Sequence, residues 1–204
     1  MSTVLRIVVI ILIVLLPREV LGEPPEKTDS CKGMALLQAR FLLDEPDRQK
    51  DLSIAQLELL GKCGTSMVGI DLTGRDLSGI RLPGADLTNA ELAGAKFGGP
   101  ERHADLQKVD LDGANLEGAD LRAADLRGAN LRHTFLAETK FAGANLSGAQ
   151  MGWPHAQQQA AEQKLTAAQL AAACWAEQNP PRLPSSLKNY ERPAGAPSDC
   201  PPSS

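Results

Sequence analysis

A hydrophobic residue stands at almost every fifth position from residue 67 to residue 151, and this spacing is the main structural signal in the chain. In most units of five, a small residue lies two positions before the hydrophobic centre, Asp or Asn directly precedes it, and Gly often follows two positions later. The repeat contains 17 such units, 13 of them centred on Leu. The centres are Met67, Leu72, Leu77, Leu82, Leu87, Leu92, Phe97, Leu106, Leu111, Leu116, Leu121, Leu126, Leu131, Leu136, Phe141, Leu146 and Met151.

A period of five is incompatible with the two common regular structures. On an α-helix the centres would drift by about 140° per unit and never form a stripe. On a flat strand, successive centres would alternate between the two faces, because five is an odd number. Each unit is therefore predicted to be a short extended piece and a corner, where Gly tolerates unusual backbone angles. Stacked coils of such units form a solenoid with a column of Leu inside.

The spacing breaks once, because Phe97 and Leu106 are nine residues apart. One interpretation is a four-residue loop that leaves a corner, and the other is a degenerate unit that is one residue short. The loop is favoured, since a Pro after two Gly residues is typical of a turn and nothing apolar occupies the centre. The residues concerned are Pro100, Glu101, Arg102 and His103.

Two side chains depart from the residue types of the repeat. Arg75 stands where a small inward residue belongs, and we expect it to leave through the end of the stack or to pair with Asp71 or Asp76. Phe135 stands where Asp or Asn belongs and is predicted to point outward. It is either a contact for the C-terminal helix or a binding spot. Together with residues 100–103, Phe135 is the candidate interaction site.

Residues 1–22 resemble a secretory signal peptide. Arg6 precedes an apolar run of ten residues from Ile7 to Leu16, and a cleavage site is predicted after Gly22. Ten apolar residues are too few to span a bilayer, which needs about 20. We therefore expect an exported protein, periplasmic or secreted, without stable membrane insertion after cleavage. An uncleaved N-terminal anchor is the alternative.

Residues 23–64 are predicted to form a helical hairpin that caps the first coil. The first helix would run from Ser30 to about Glu45, with an apolar stripe of Met34, Leu37, Phe41 and Leu42. The second would begin at Ser53, where Gln56 completes a capping box, and end at Gly61.

Beyond the repeat, assigned to residues 65–153, residues 154–179 are predicted to form a helical cap over the last coil, with a helix from about Ala167 to Glu177. Residues 180–204 are rich in Pro and Ser and have little capacity to fold alone.

The cysteine count is even, which in an exported protein suggests disulfide bonds. The helical hairpin would bring the start of its first helix beside the end of its second, so Cys31 and Cys63 are predicted to pair. A bridge between Cys174 and Cys200 would tie the C-terminal tail to the cap.

The units ADLTN, ANLEG, ADLRG and ANLSG resemble the A(D/N)LXX signature of pentapeptide repeat proteins. The section between Leu165 and Leu187 also resembles the C-terminal tail found on many bacterial members. This resemblance implies an all-β solenoid, a right-handed quadrilateral β-helix with four pentapeptides per coil. The repeat would then make about four coils and a stack of about 20 Å.

The sequence contains no recognisable catalytic constellation. Regularly spaced carboxylates are explained by the repeat, since a short polar side chain can bond the turn backbone. His103, His133 and His155 lack metal-ligand spacing. We therefore expect no enzyme activity, no metal, no cofactor and no small-molecule substrate. The carboxylates are Asp71, Asp76, Asp86, Asp105, Asp110, Asp120 and Asp125.

Charge argues against nucleic acid as a partner. The net charge is −4, and no basic cluster is present. The arginines at 122, 127 and 132 are predicted to fall on successive faces, with Arg132 stacked one coil from Asp112. The favoured hypothesis is a non-enzymatic structural or protein-interaction module of the bacterial cell envelope, with an unknown protein partner and homodimerisation left open.

Some proteins of the family mimic duplex DNA and interact with DNA gyrase, which gives a second hypothesis. That role requires a strongly negative cytoplasmic protein. The repeat carries 12 acidic against 9 basic residues between positions 65 and 153, and an export signal precedes it.

Overall fold

The computed structural model describes residues 31–98, 103–151, 165–184, 187 and 189–191, all of which belong to one compact unit. The predicted signal peptide at 1–22 and its cleavage site lie outside these residues, as does Ser30. None of the helices in the described part is long and apolar enough to cross a lipid bilayer.

The repeat is held together by parallel bridges between residues one coil apart. Asp71 pairs with Glu91, and Asp105 pairs with Asp125, so that 20 residues separate partners on either side of the interruption. A separation of 20 residues corresponds to four pentapeptides per coil. Within the described residues the pairing consists of isolated bridges, because each extended piece is only a few residues long before the chain turns.

All 17 hydrophobic centres lie in the described part of the chain, and none is more than 3% exposed. The small residues two positions earlier are also buried, as Ala114 and Ala119 illustrate. The next residues outward, such as Arg122 after Leu121, face solvent. The centres form a continuous hydrophobic column, and each buried Leu contributes about 1.5–3 kcal/mol.

The corners adopt left-handed backbone geometry, which explains the Gly two residues after most centres. Gly118, for example, has φ of 65°. Five other residues adopt φ of 55–58° in the described corners, although a Cβ makes this region costly. They are Asn89, Lys108, Ala123, His133 and Glu138.

The interruption between Phe97 and Leu106 adds four residues to one coil. Partners across it are 24 residues apart, as in Arg81 with Asp105 and Lys96 with Asp120. The ladder therefore keeps complete pentapeptides on both sides of an insertion. Gly98 and His103 pair with each other in an antiparallel bridge, which brings the two ends of the insertion together.

The N-terminal segment contains helix α1 at Met34–Leu43, a 3₁₀ helix at Pro46–Asp51 and helix α2 at Ile54–Lys62. The predicted stripe on α1 is wrong, because Met34 and Leu37 are 49% and 57% exposed. Leu36 and Ala39 are buried instead. The helix carries two apolar stripes of similar spacing, and the small Ala39 side allows the closer approach to the core.

Helix α2 begins as predicted, because Ser53 and Gln56 form a complete capping box. Gly61 does not end this helix, which continues to Lys62. A Cβ at Gly61 would lie 2.9 Å from Leu82 Cδ2, so its role is close packing on the first coil. Gly64, with φ of 62°, provides the left-handed residue after the helix.

A disulfide joins Cys31 to Cys63, across 32 residues of sequence. These are the residues expected to meet when the helices fold back on each other. In the chain-entropy account, a closure of this length contributes about 2–4 kcal/mol. Cys174 is also disulfide-bonded, while its predicted partner Cys200 lies outside the described residues.

Two side chains of the N-terminal segment bind backbone N–H groups of the first coil. Gln49 Oε1 accepts from the N–H of Asp71 at 2.9 Å, and Glu58 Oε1 accepts from the N–H of Arg81 at 2.9 Å. In the next coil, the N–H of Glu91 donates to the carbonyl of Ile70. The two side-chain oxygens thus occupy the positions of carbonyls from a preceding coil.

The C-terminal segment is less helical than predicted. Helix α3 spans only Ala167–Leu170, although Thr166 and Gln169 form the expected capping box. The predicted continuation to Glu177 is wrong, because Cys174 pairs with Asn145 and its backbone groups bond to the last coil.

The Pro- and Ser-rich tail also begins as an ordered part of the stack. Arg182 pairs with Gln150, and the carbonyl of Arg182 accepts from the N–H of Met151 at 2.8 Å. Leu183, Leu187 and Tyr190 pack against the core. The sequence reading missed this because backbone pairing with a preceding coil leaves little mark on composition.

Substitution of Leu121 tests the inward register. Leu121→Ala should lower the free energy of unfolding by about 2–5 kcal/mol, because Leu121 is fully buried and the truncation leaves a cavity. Arg122→Ala should change stability little, because Arg122 faces solvent. Urea denaturation followed by circular dichroism measures both, and equal losses would contradict the register.

A corner substitution tests the strain at Ala123. Ala123→Gly should raise the free energy of unfolding by about 0.5–1 kcal/mol, because Ala123 has φ of 58° and Gly tolerates that conformation. The control is Ala124→Gly, which should destabilise the protein, since Ala124 is fully buried. A loss of stability for Ala123→Gly in the same urea experiment would refute the assignment of strain.

Candidate interaction surfaces

The repeated carboxylates bond to the turns that follow them. In each case Oδ1 accepts the backbone N–H of the residue two positions later, at 3.0–3.3 Å. Asn115, Asn130 and Asn145 do the same. The carboxylates with this bond are Asp71, Asp76, Asp86, Asp105, Asp110, Asp120 and Asp125.

Three of these carboxyls have lowered pKa values. Hydrogen bonding from Arg122 holds the pKa of Asp120 below its usual range. The backbone N–H of Thr73 is the main cause of the lowered pKa of Asp71. Burial alone would raise the pKa of Asp86, but hydrogen bonds from Ser66 and Thr88 lower it overall. Such groups are ionised at neutral pH and are poor proton donors for general acid catalysis.

The three arginines lie on successive faces. Arg122 binds Asp120 and Arg127 binds Asp125, each with Nη2 at 2.6 Å from Oδ2. The predicted proximity of Arg132 to Asp112 is not what the structure shows. Arg132 Nη2 donates to Gln150 Oε1, and His133 Nδ1 lies 2.6 Å from Asp112 Oδ1. The left-handed corner at residue 133 turns His133 toward the preceding coil.

Arg75 is partly buried at the first coil, and its Nη1 has no hydrogen-bond partner. Asp71, one of its two expected partners, instead binds Lys50 with Nζ at 3.2 Å from Oδ2. Across the described ranges, no group of three or more His, Cys, Asp or Glu side chains is arranged to hold a metal ion.

The residues of the candidate interaction site are not brought together. His103 is exposed beside Gly98, whereas Phe135 pairs with Asn115 on another face of the stack. Phe135 is 39% exposed, so the described C-terminal residues leave much of its ring open. Pro100, Glu101 and Arg102 lie outside the described residues.

The coil-to-coil register defines four faces, and their charges differ. The face centred on Leu77, called here the Leu77 face, alternates in sign down the coils through Asp76, Lys96, Asp120 and Lys140. The second face, the Leu72 face, is built from the units centred on Leu72, Leu92, Leu116 and Leu136.

The repeat residues that point outward on the Leu72 face include no cation. Its charged residues are Asp71, Glu91, Glu117 and Glu138. Glu117 and Glu138 are exposed. The linear sequence hides this acidic face, since its members are 20 to 24 residues apart. Reading the same column of every coil, with four residues inserted after Gly98, would have found it.

Comparisons with solved structures return pentapeptide repeat proteins. HetL, involved in heterocyst differentiation regulation in the cyanobacterium Nostoc sp. strain PCC 7120, is 35% identical over 42% of this chain and 39% of its own, with a TM-score of 0.25. The protein alr5209 of Nostoc PCC 7120 is 31% identical over 48% of this chain and 77% of its own, with a TM-score of 0.36.

QnrB1, a plasmid-mediated fluoroquinolone resistance protein, is 20% identical over 42% of this chain and 52% of its own, with a TM-score of 0.22. The chain thus spans well under half the length of HetL and about half that of QnrB1. No curated protein sequence matches it.

The family model for pentapeptide repeats matches eight copies, at residues 65–99, 102–136 and 119–153. These ranges coincide with the ladder of buried centres and parallel bridges. The right-handed quadrilateral β-helix is the fold that this family implies for the matched segment. The segment from residue 65 to residue 153 belongs to the pentapeptide repeat family.

Proposed function

We propose that this protein is a non-enzymatic protein-interaction module of the bacterial cell envelope. The observation that carries the proposal is the use of the repeated carboxylates. Each one already accepts a backbone N–H of its own turn, so the residues that look most like catalytic groups serve the fold. What remains available to other molecules is a set of flat faces on a rigid stack.

Export is the second part of the proposal. An apolar run at Ile7–Leu16 follows Arg6, as in a secretory signal. Cys31 and Cys63 form a disulfide, and Cys174 is disulfide-bonded. Disulfides persist in oxidising compartments such as the bacterial periplasm, which supports a periplasmic or secreted location. An uncleaved N-terminal anchor is the alternative arrangement.

The gyrase-directed alternative is less well supported by the charges. A surface that imitates duplex DNA needs negative charge on more than one side. Here the Leu77 face alternates in sign, and Asp125 is paired with Arg127 on the neighbouring face. Acidic excess is confined to the Leu72 face.

The helical segments at the two ends are proposed to act as caps. Gln49 and Glu58 accept backbone N–H groups of the first coil. At the other end, Gln169 Nε2 donates to the carbonyls of Leu136 and Thr139. Because an open sheet edge is a template for aggregation, these side chains would keep the stacks from joining end to end.

Export can be tested on the full chain produced in a bacterial host. The protein should be recovered outside the cytoplasm, and its intact mass should be lower than that of its reduced form by the four hydrogens lost in two disulfides. In-cell crosslinking with affinity purification should then capture a specific envelope protein. A cytoplasmic, fully reduced protein would contradict the envelope assignment.

Removal of one capping side chain tests the cap. Glu58→Ala should lower the free energy of unfolding by about 0.5–1.5 kcal/mol, because the N–H of Arg81 loses its acceptor. It should also promote concentration-dependent association in analytical ultracentrifugation. Glu45→Ala, at an exposed position of the same segment, is the matched control. If both variants behave alike, Glu58 has no capping role.

A further inference from the structure

Each coil of the Leu72 face binds the next coil through three backbone hydrogen bonds. At the unit centred on Leu116, the N–H of Phe135 donates to the carbonyl of Ala114 at 3.0 Å. The N–H of Leu116 donates to the carbonyl of Phe135 at 2.9 Å, and that of Gly118 to the carbonyl of Ala137 at 2.8 Å. A further coil on this face would repeat these bonds twenty residues later.

The unit centred on Leu136 presents the same three groups without using them. Within the described part of the chain, the carbonyl of Thr134 and the N–H groups of Leu136 and Glu138 have no hydrogen-bond partner. Their spacing matches one added parallel strand of about five residues.

The other faces of the last coil are covered wholly or in part. The N–H of Leu146 donates to the carbonyl of Cys174, and that of Met151 to the carbonyl of Arg182, both at 2.8 Å. On the Leu77 face, the N–H of Gly143 donates to the carbonyl of Ala172 at 2.6 Å. The unused edge is thus a property of the Leu72 face.

Two side chains beside this edge indicate what it would accept. Phe135, 39% exposed, occupies a position where the repeat otherwise places Asp or Asn. Glu138, exposed, occupies a corner that the repeat usually gives to Gly. Glu117 lies one coil away on the same face. An apolar side chain beside Phe135 and cations beside Glu138 and Glu117 would complement this surface.

We propose that the edge formed by residues 134–138 binds an extended basic segment of a partner protein as an added parallel strand. This inference rests on the proposed interaction function and names the binding surface and the class of partner. Backbone hydrogen bonds would supply general affinity, and the ring and carboxylates would select the side chains, as in other cases of strand addition. The negative charge of the edge disfavours a second copy of this chain as the occupant.

Hydrogen exchange on the full-length protein, followed by NMR, tests whether the edge is free. The amides of Leu136 and Glu138 should exchange at least about 100-fold faster than those of Leu116 and Gly118, which are bonded in the ladder. Equal protection would overturn the proposal, because another part of the chain or another copy would already occupy the edge.

A synthetic peptide tests recognition directly. The probe has the sequence Ala-Phe-Leu-Lys-Lys flanked by Gly and blocked at both ends. It should slow exchange at Leu136 and Glu138 and shift their resonances. N-methylation of its Phe amide, which removes the donor to the carbonyl of Thr134, should weaken binding at least tenfold, as should replacement of both Lys by Glu. Binding that is indifferent to both changes would refute strand addition.

Variants of the protein provide matched controls taken from its own repeat. Phe135→Asn and Glu138→Gly restore the usual residue types and should each weaken peptide binding about tenfold without loss of the fold. Glu91→Gln, on the same face two coils away, should leave binding unchanged. If peptide binding fails while crosslinking captures an envelope partner, the proposed function stands and this inference falls. Peptide binding without any envelope partner would have the opposite meaning.

Discussion

The hydrogen-bond ladder between coils is the constraint on which the rest of this structure depends. The N–H of Leu121 reaches the carbonyl of Lys140 at 2.9 Å, and the same bond recurs from unit to unit. A parallel ladder of this kind requires the chain to return to the same face after a fixed number of residues. An inserted segment is compatible with it only where the chain leaves a corner and comes back, as the bridge between Gly98 and His103 allows. Ends of the ladder need other partners, which here include side-chain amides and carboxylates.

This dependence explains which parts of the fold could be read from the sequence. The inward register of Leu121 and the outward one of Arg122 follow from a local rule, because five residues always make one side of a coil. The buried face of α1 does not follow from a local rule. Its helix has two apolar stripes, and packing against the first coil decides between them. For the same reason the helix expected up to Glu177 ends at Leu170, since the ladder competes for the backbone of Cys174.

The polar residues divide according to the same physics. An Asp before each centre bonds its own turn, so its presence was predictable and carries no functional information. Long side chains outside that position are not required by the repeat, and their arrangement emerges only when the coils are stacked. The acidic character of the Leu72 face and the contact of His133 with Asp112 both depend on the 20-residue offset and the four-residue insertion. Neither is visible in a window of sequence as short as a repeat.

An uncovered edge is normally a liability in a β-protein, and charged side chains are one way of controlling it. Glu138 and Glu117 lie on the one face whose last coil lacks described partners, and their charge opposes pairing with another acidic edge of the same kind. The same carboxylates attract a basic strand, so one device both discourages self-association and selects a partner. Phe135 adds apolar area where the repeat needs only a turn-forming Asp or Asn. Three departures from repeat chemistry at one edge are better explained by recognition than by the needs of the ladder, which Asn, Gly and a neutral residue would satisfy.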